Sequence, residues 1–135
     1  MLKQIYLMNT LSTCGVTVSV NPEFESGLSS FLNQVFFFKY TVLIENNSNN
    51  IIQLVSRRWE VYDTLDYKKI IEGAGVVGEQ PILKPGEKYT YTSGCELKSE
   101  IGLMKGVYNF KNVNTYQNFE VLIPEFNLIS DGKLN

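Results

Sequence analysis

Apolar residues recur at every second position along much of this chain, and no stretch sustains the spacing of a helix. Val16, Val18 and Val20 share one face of a strand that Thr17 and Ser19 interrupt. Asn21-Pro22 is the expected end of that strand. Glu23 to Asn33 carries serines and few regular positions, and predicts a loop. Phe36, Phe38, Tyr40, Val42 and Ile44 then line one face of a long strand. Val35, Phe37 and Leu43 fall on the other, so this strand is expected to be central and covered on both sides over part of its length.

Glu45 to Asn50 is a polar turn, because Asn tolerates positive φ and bonds its own backbone. Ile51 to Asp63 is the next strand, and its apolar face changes parity between Leu54 and Trp59. That change predicts a bulge near Ser56–Arg58. Tyr67 to Glu72 is a shorter strand, followed by a glycine-rich loop. Lys84-Pro85-Gly86-Glu87 is a turn, since proline fixes φ and glycine accepts the reversed backbone. Lys88 to Ser93 is a strand with Tyr89 and Tyr91 on one face. Lys105 to Lys111 and Gln117 to Ile123 form a hairpin, which Pro124 ends, and Phe126 to Leu128 adds a last edge contact. Seven or more short antiparallel strands, with connections too short for parallel crossovers, predict an all-β sandwich of immunoglobulin-like type.

At 135 residues the chain is expected to be one domain, 1–135, large enough to close a core without staples. A net charge of −2 with no cluster of Lys or Arg speaks against nucleic acid and against a membrane surface. The apolar stretch in Met1–Thr10 is interrupted too early for an export leader, and the longest apolar run, Val35 to Phe38, is far too short to span a bilayer. A cytoplasmic location with Cys14 and Cys95 as reduced, partly buried thiols is therefore expected. Histidine is absent, which removes Ser-His-Asp and Cys-His catalysis and His-ligated zinc. No catalytic set, cofactor or metal site is expected.

Three groups of residues could still carry chemistry. Gly73-Ala74-Gly75-Val76-Val77-Gly78 matches G-x-G-x-x-G, but Pro81 and Pro85 forbid the helix that a dinucleotide site needs. The glycines either permit positive φ in a sandwich loop or form a backbone nest for an anion such as pyrophosphate or a nucleotide. Gly73, Gly75, Gly78, Glu79 and Gln80 are the candidate positions of that nest. Arg57 and Arg58 are the second group; adjacent strand residues face opposite ways, so one is expected to be structural and one solvated, unless a single guanidinium meets a ligand or partner. Third, Glu72, Glu79, Glu87, Glu96 and Glu100 have no metal-ligand spacing, so Mg²⁺ or Co²⁺ binding is unsupported by pattern.

The segment Gly73 to Pro81 resembles the signature of the bacterial ApaG, or CorD-like, family. Further matches run along the chain, at Tyr40 to Asn46, Gln53 to Trp59, Leu83 to Glu87, Tyr89 to Gly94, Gly102 to Tyr108 and Phe119 to Phe126. The family also occurs as a domain of some eukaryotic F-box proteins and of a polymerase-delta-interacting protein. The resemblance implies a fibronectin type III-like β-sandwich, and its eukaryotic relatives imply protein–protein interaction; a non-enzymatic module with a protein partner, itself a monomer or weak homodimer, is expected. It also implies a link to cobalt resistance and magnesium efflux, and a pyrophosphate or nucleotide reading of Gly73, Gly75 and Gly78. Arg58 departs from the family, whose bacterial members commonly carry His there.

Overall fold

The computed structural model describes residues 9–130. The reading of Met1–Thr10 therefore lies, for residues 1–8, outside the described residues, as does the end of the expected 1–135 domain.

Among the described residues, nine antiparallel strands make two sheets. They are β1 (Asn9–Thr13), β2 (Val16–Phe24), β3 (Phe36–Asn46), β4 (Ile52–Asp63), β5 (Lys69–Ala74), β6 (Ile82–Leu83), β7 (Lys88–Leu97), β8 (Ile101–Asn112) and β9 (Asn118–Ile129). One sheet runs β1-β2-β3-β7; the other runs β5-β4-β8-β9, with β6 also paired to β4. The antiparallel β-sandwich expected from the sequence is thus the architecture.

The alternating residues supply the core. Val16, Val18 and Val20 from β2 and Phe36, Phe38, Tyr40, Val42 and Ile44 from β3 are buried. Trp59 closes on them from the opposite sheet, its ring 5.3 Å from Tyr40, 6.0 Å from Phe126 and 6.4 Å from Tyr108. The two Trp59 contacts within its own sheet are edge-to-face, the geometry that ring quadrupoles prefer.

Several boundaries differ from expectation, each for a local reason. β2 continues through Pro22, which pairs with Tyr40. Among the described residues Pro22 pairs with β3 alone, past Val20, so its missing N–H interrupts no described ladder bond to β1. β9 likewise continues through Pro124. There Pro124 and Glu125 together face Lys105 in a bulge between Met104 and Gly106, where a missing N–H costs the ladder nothing. The bulge reverses parity, so that Val121 and Ile123 before it and Phe126 and Leu128 after it all face the core. Phe126 and Leu128 are core residues of a full strand, not an edge contact. β3 is central, but its second face is only half-buried rather than covered. β1 and β6 were not legible as strands.

Candidate functional site

The bulge in β4 falls between Leu54 and Ser56, with Val55 as the extra residue, just before the expected position. After it Arg57, Trp59 and Val61 share the inward face. The Val55 carbonyl accepts from the Gly75 amide at 2.8 Å and from the Gln80 side-chain amide at 2.8 Å. The Gln53 side chain in turn donates to the Gln80 carbonyl at 3.1 Å. The glycine loop is therefore fastened to the bulge.

Each glycine of the motif has its own reason. Gly75 has φ +61°, and a Cβ there would lie 2.0 Å from the Glu79 carbonyl oxygen. Gly78 has φ +82° in otherwise open space. A Cβ at Gly73 would lie 2.7 Å from Nη1 of Arg57. Between them, Val76 and Glu79 exchange both backbone hydrogen bonds at 2.8 Å. Val77 (φ 41°) and Gly78 are the two central residues, so Val76 to Glu79 is a hairpin turn of type I′. Val76 is fully buried and anchors the turn in the core. The amides of Gly75, Val76 and Glu79 all donate within the protein.

Arg57 and Arg58 face opposite ways. Nη1 of Arg57 donates to the carbonyls of Gly75 at 3.0 Å and Ala74 at 3.3 Å, tying β4 to the glycine loop. Arg58 lies on the outer face, 3.1 Å from Glu60 and 3.7 Å from Glu72. Glu60 also accepts from the Tyr62 hydroxyl at 2.8 Å; that bond first, and Arg58 after it, hold its carboxyl below the usual range. The expectation is one structural arginine stacked on an aromatic ring and one solvated arginine; Arg57 is structural through carbonyl hydrogen bonds rather than ring stacking, and Arg58 is ion-paired.

Glu79 accepts from the Tyr89 hydroxyl at 2.5 Å. Partial burial and this carboxylate push the Tyr89 phenol to about 12. Deeper in, the Tyr91 and Tyr108 hydroxyls bond each other, and burial pushes both well up. Cys95 is a buried free thiol, pushed by burial to about 11, whereas Cys14 is exposed rather than partly buried. Neither tyrosines nor thiol are poised to ionise near neutral pH.

Sequence reasoning passed over a second region. The β2–β3 connection brings Phe31 and Gln34 against Leu65 of the β4–β5 turn and Lys98 and Ile101 at the β7–β8 turn, around an open pocket of about 330 Å³. Phe31 packs edge-on to Phe36 at 5.0 Å yet stays 55% exposed. Leu28 on the same connection is 64% exposed, Leu32 92%, and Leu65 62%. The available signal was four large apolar residues, Phe24, Leu28, Phe31 and Leu32, in a segment that its serines marked as a loop.

Among the described residues no three acidic or cysteine side chains stand together as a metal site, and no helix is long and apolar enough to cross a membrane. The carboxylates suggested as cation ligands are dispersed: Glu72 meets Arg58, Glu79 meets Tyr89, and Glu87 accepts from the Lys84 amide.

Protein ApaG of Methylorubrum populi is 45% identical over 123 residues, covering 91% of this chain and 94% of that relative. Protein ApaG of a Bradyrhizobium species is 40% identical over 119 residues, covering 87% and 91%. The crystal structure of an ApaA protein from Bordetella pertussis superposes with a TM-score of 0.82 at 41% identity, covering 86% of this chain and 94% of that one. The ApaG domain family's profile matches residues 27–112, and the chain belongs to that family.

Proposed function

We propose that this chain is a non-enzymatic, cytoplasmic binding module whose protein partner docks on the apolar end of the sandwich. One observation carries the reading: Phe31 and Leu65, both more than half exposed, line one pocket, and Leu28 and Leu32, also more than half exposed, lie on the same β2–β3 connection as Phe31. Several large apolar side chains exposed at one end of a fold mark interaction surfaces on soluble proteins. Charged side chains border it, with Asp66 bound to Lys69 at 3.6 Å and Lys98 at 3.7 Å, as a polar rim borders an apolar centre in protein interfaces.

The amides of the glycine loop support this over a pyrophosphate cradle, because three of them already donate to protein carbonyls. The dispersal of the carboxylates weighs against direct cation binding, so a part in cobalt or magnesium handling would run through the partner.

A photoreactive residue at Leu32 tests the proposal in cells, followed by titration of the captured partner against purified protein. Leu28→Asp with Leu32→Asp should weaken that partner's binding at least about tenfold, as loss of buried apolar anchors does. Pyrophosphate and ATP should leave the melting temperature unchanged. Undiminished partner binding by the doubly substituted protein would overturn the assignment.

A further inference from the structure

The free edges of the two sheets are not alike. β1, described over Asn9–Thr13, is tied to β9 through Thr13. β9 is broken by Pro124 and its bulge, and the Leu122 amide already donates to Oγ1 of Thr13 at 3.3 Å. β5 has six residues and carries Lys69 and Glu72. Proline, charge, bulges and shortness are the means by which natural sheets block edge-to-edge pairing.

β7 has none of them over its middle. It is ten residues long and pairs with β3 in unbroken register from Lys88 to Leu97. Tyr89 to Cys95 is seven consecutive uncharged residues rich in Thr and Tyr, which favour strands. Its second edge has no strand partner among the described residues. Thr90, Thr92 and Gly94 on the outer face are small and exposed, with the Phe37 ring of β3 packed over Gly94.

The charges at its two ends select the occupant. Lys88, which also lies 3.7 Å from Glu45 across the β3–β7 ladder, and Glu96 are on the same exposed face, eight residues apart. An antiparallel copy of β7, related by a twofold axis through Thr92, sets Lys88 opposite Glu96 of the partner subunit, and Glu96 opposite Lys88 of the partner subunit. Core-facing positions then meet core-facing positions, Tyr91 with Ser93 and Tyr89 with Cys95. Moving the twofold axis by one residue in either direction sets Lys88 against Lys98 or Gly94 and loses the charge pairs. We propose that this chain forms a twofold dimer through β7, continuing its sheet across the two copies. This surface is distinct from the apolar end, so the two assignments stand or fall separately.

Sedimentation velocity on the full chain across a concentration series tests it, with circular dichroism as the control for folding. The wild-type chain should show a concentration-dependent dimer. Lys88→Glu alone and Glu96→Lys alone each place like charges opposite one another and should raise the dissociation constant about tenfold or more. The combined exchange, Lys88→Glu with Glu96→Lys, restores opposite pairs and should return the constant to within about threefold of wild type. Thr92→Cys should give a dimer linked by a disulfide under mild oxidation, since paired strands hold directly opposed Cα atoms about 4.5–5.5 Å apart. A monomer at every concentration, or a dimer indifferent to both single substitutions, would overturn the proposal.

Discussion

The Gly75 amide donates at 2.8 Å to the carbonyl of Val55, the extra residue of the β4 bulge. A glycine motif and a strand irregularity twenty residues away are thus one structural unit. Gly75→Ala should test it severely. The new methyl would lie 2.0 Å from a backbone oxygen, at φ +61°. Left-handed backbone alone costs a non-glycine residue about 1–2 kcal/mol, and displacing the turn adds the loss of the Val55 bond. Urea denaturation should report a loss of about 3 kcal/mol or more. Gly78→Ala, with φ +82° and open space around it, should lose only the conformational part, about 1–2 kcal/mol.

Val77 makes the opposite prediction. It is β-branched, 54% exposed, and held at φ 41° in the first central position of a type I′ turn. Asn-Gly is the pair that this turn favours, because Asn tolerates positive φ. Val77→Asn should therefore stabilise the fold by about 1 kcal/mol in the same denaturation experiment. A neutral or destabilising result would mean that the valine side chain makes a contribution that its exposure does not explain.

These three positions also mark the limits of reading this chain from its letters. Alternation at Val16–Val20 and Phe36–Ile44 disclosed strands and their core faces, because burial on one side leaves a period of two. The parity change between Leu54 and Trp59 disclosed that a bulge exists. It could not place it, since Ser56, Arg57 and Arg58 are polar and half-buried on either face. Pro22 and Pro124 misled because proline is excluded from ladder interiors but admitted at edges and bulges, and only pairing tells which applies. The glycines were legible as residues needing positive φ or close approach. Their partners, Val55 and Arg57, were not, because those contacts span 16 to 20 positions. The apolar end was missed because its side chains come from three separate connections.

The Tyr91 and Tyr108 hydroxyls bond each other in the core, where Tyr108 is fully buried and Tyr91 7% exposed. Replacing either one by Phe leaves the other hydroxyl without its partner, which costs about 1–3 kcal/mol. Removing both leaves no orphan. Tyr91→Phe with Tyr108→Phe should therefore cost clearly less than the sum of the single substitutions, and a double-mutant cycle by denaturation measures the coupling. Additive losses would mean that each hydroxyl is satisfied independently of the other.

The two thiols should separate cleanly by reactivity. Cys14 is exposed, whereas burial pushes Cys95 to about 11 and closes it to reagents. Titration with a thiol-reactive disulfide should modify one cysteine rapidly in the native protein and two after denaturation. Cys14→Ser should abolish the rapid phase, and Cys95→Ser should leave it intact.

Tyr89 ties the stability of the glycine loop to alkaline pH. Its phenol is raised from 10.0 to about 12, by partial burial and by the Glu79 carboxylate that accepts its proton at 2.5 Å. Below pH 10 the phenol is protonated in both folded and unfolded chains, so its contribution is fully present. Between pH 10 and 12 the unfolded chain loses the proton first, which favours unfolding, and stability falls as pH rises. Burial raises Tyr40, Tyr91 and Tyr108 as well, so the wild-type decline is a sum over several phenols. Tyr89→Phe should isolate one component, giving a shallower fall in denaturation free energy above pH 10. Glu79→Gln should bring the Tyr89 titration down toward the ordinary range in ultraviolet difference spectra, because a neutral amide no longer opposes the tyrosinate. If Glu79→Gln leaves every tyrosine titrating as in wild type, the carboxylate is not what holds the Tyr89 proton, and burial alone accounts for the shift.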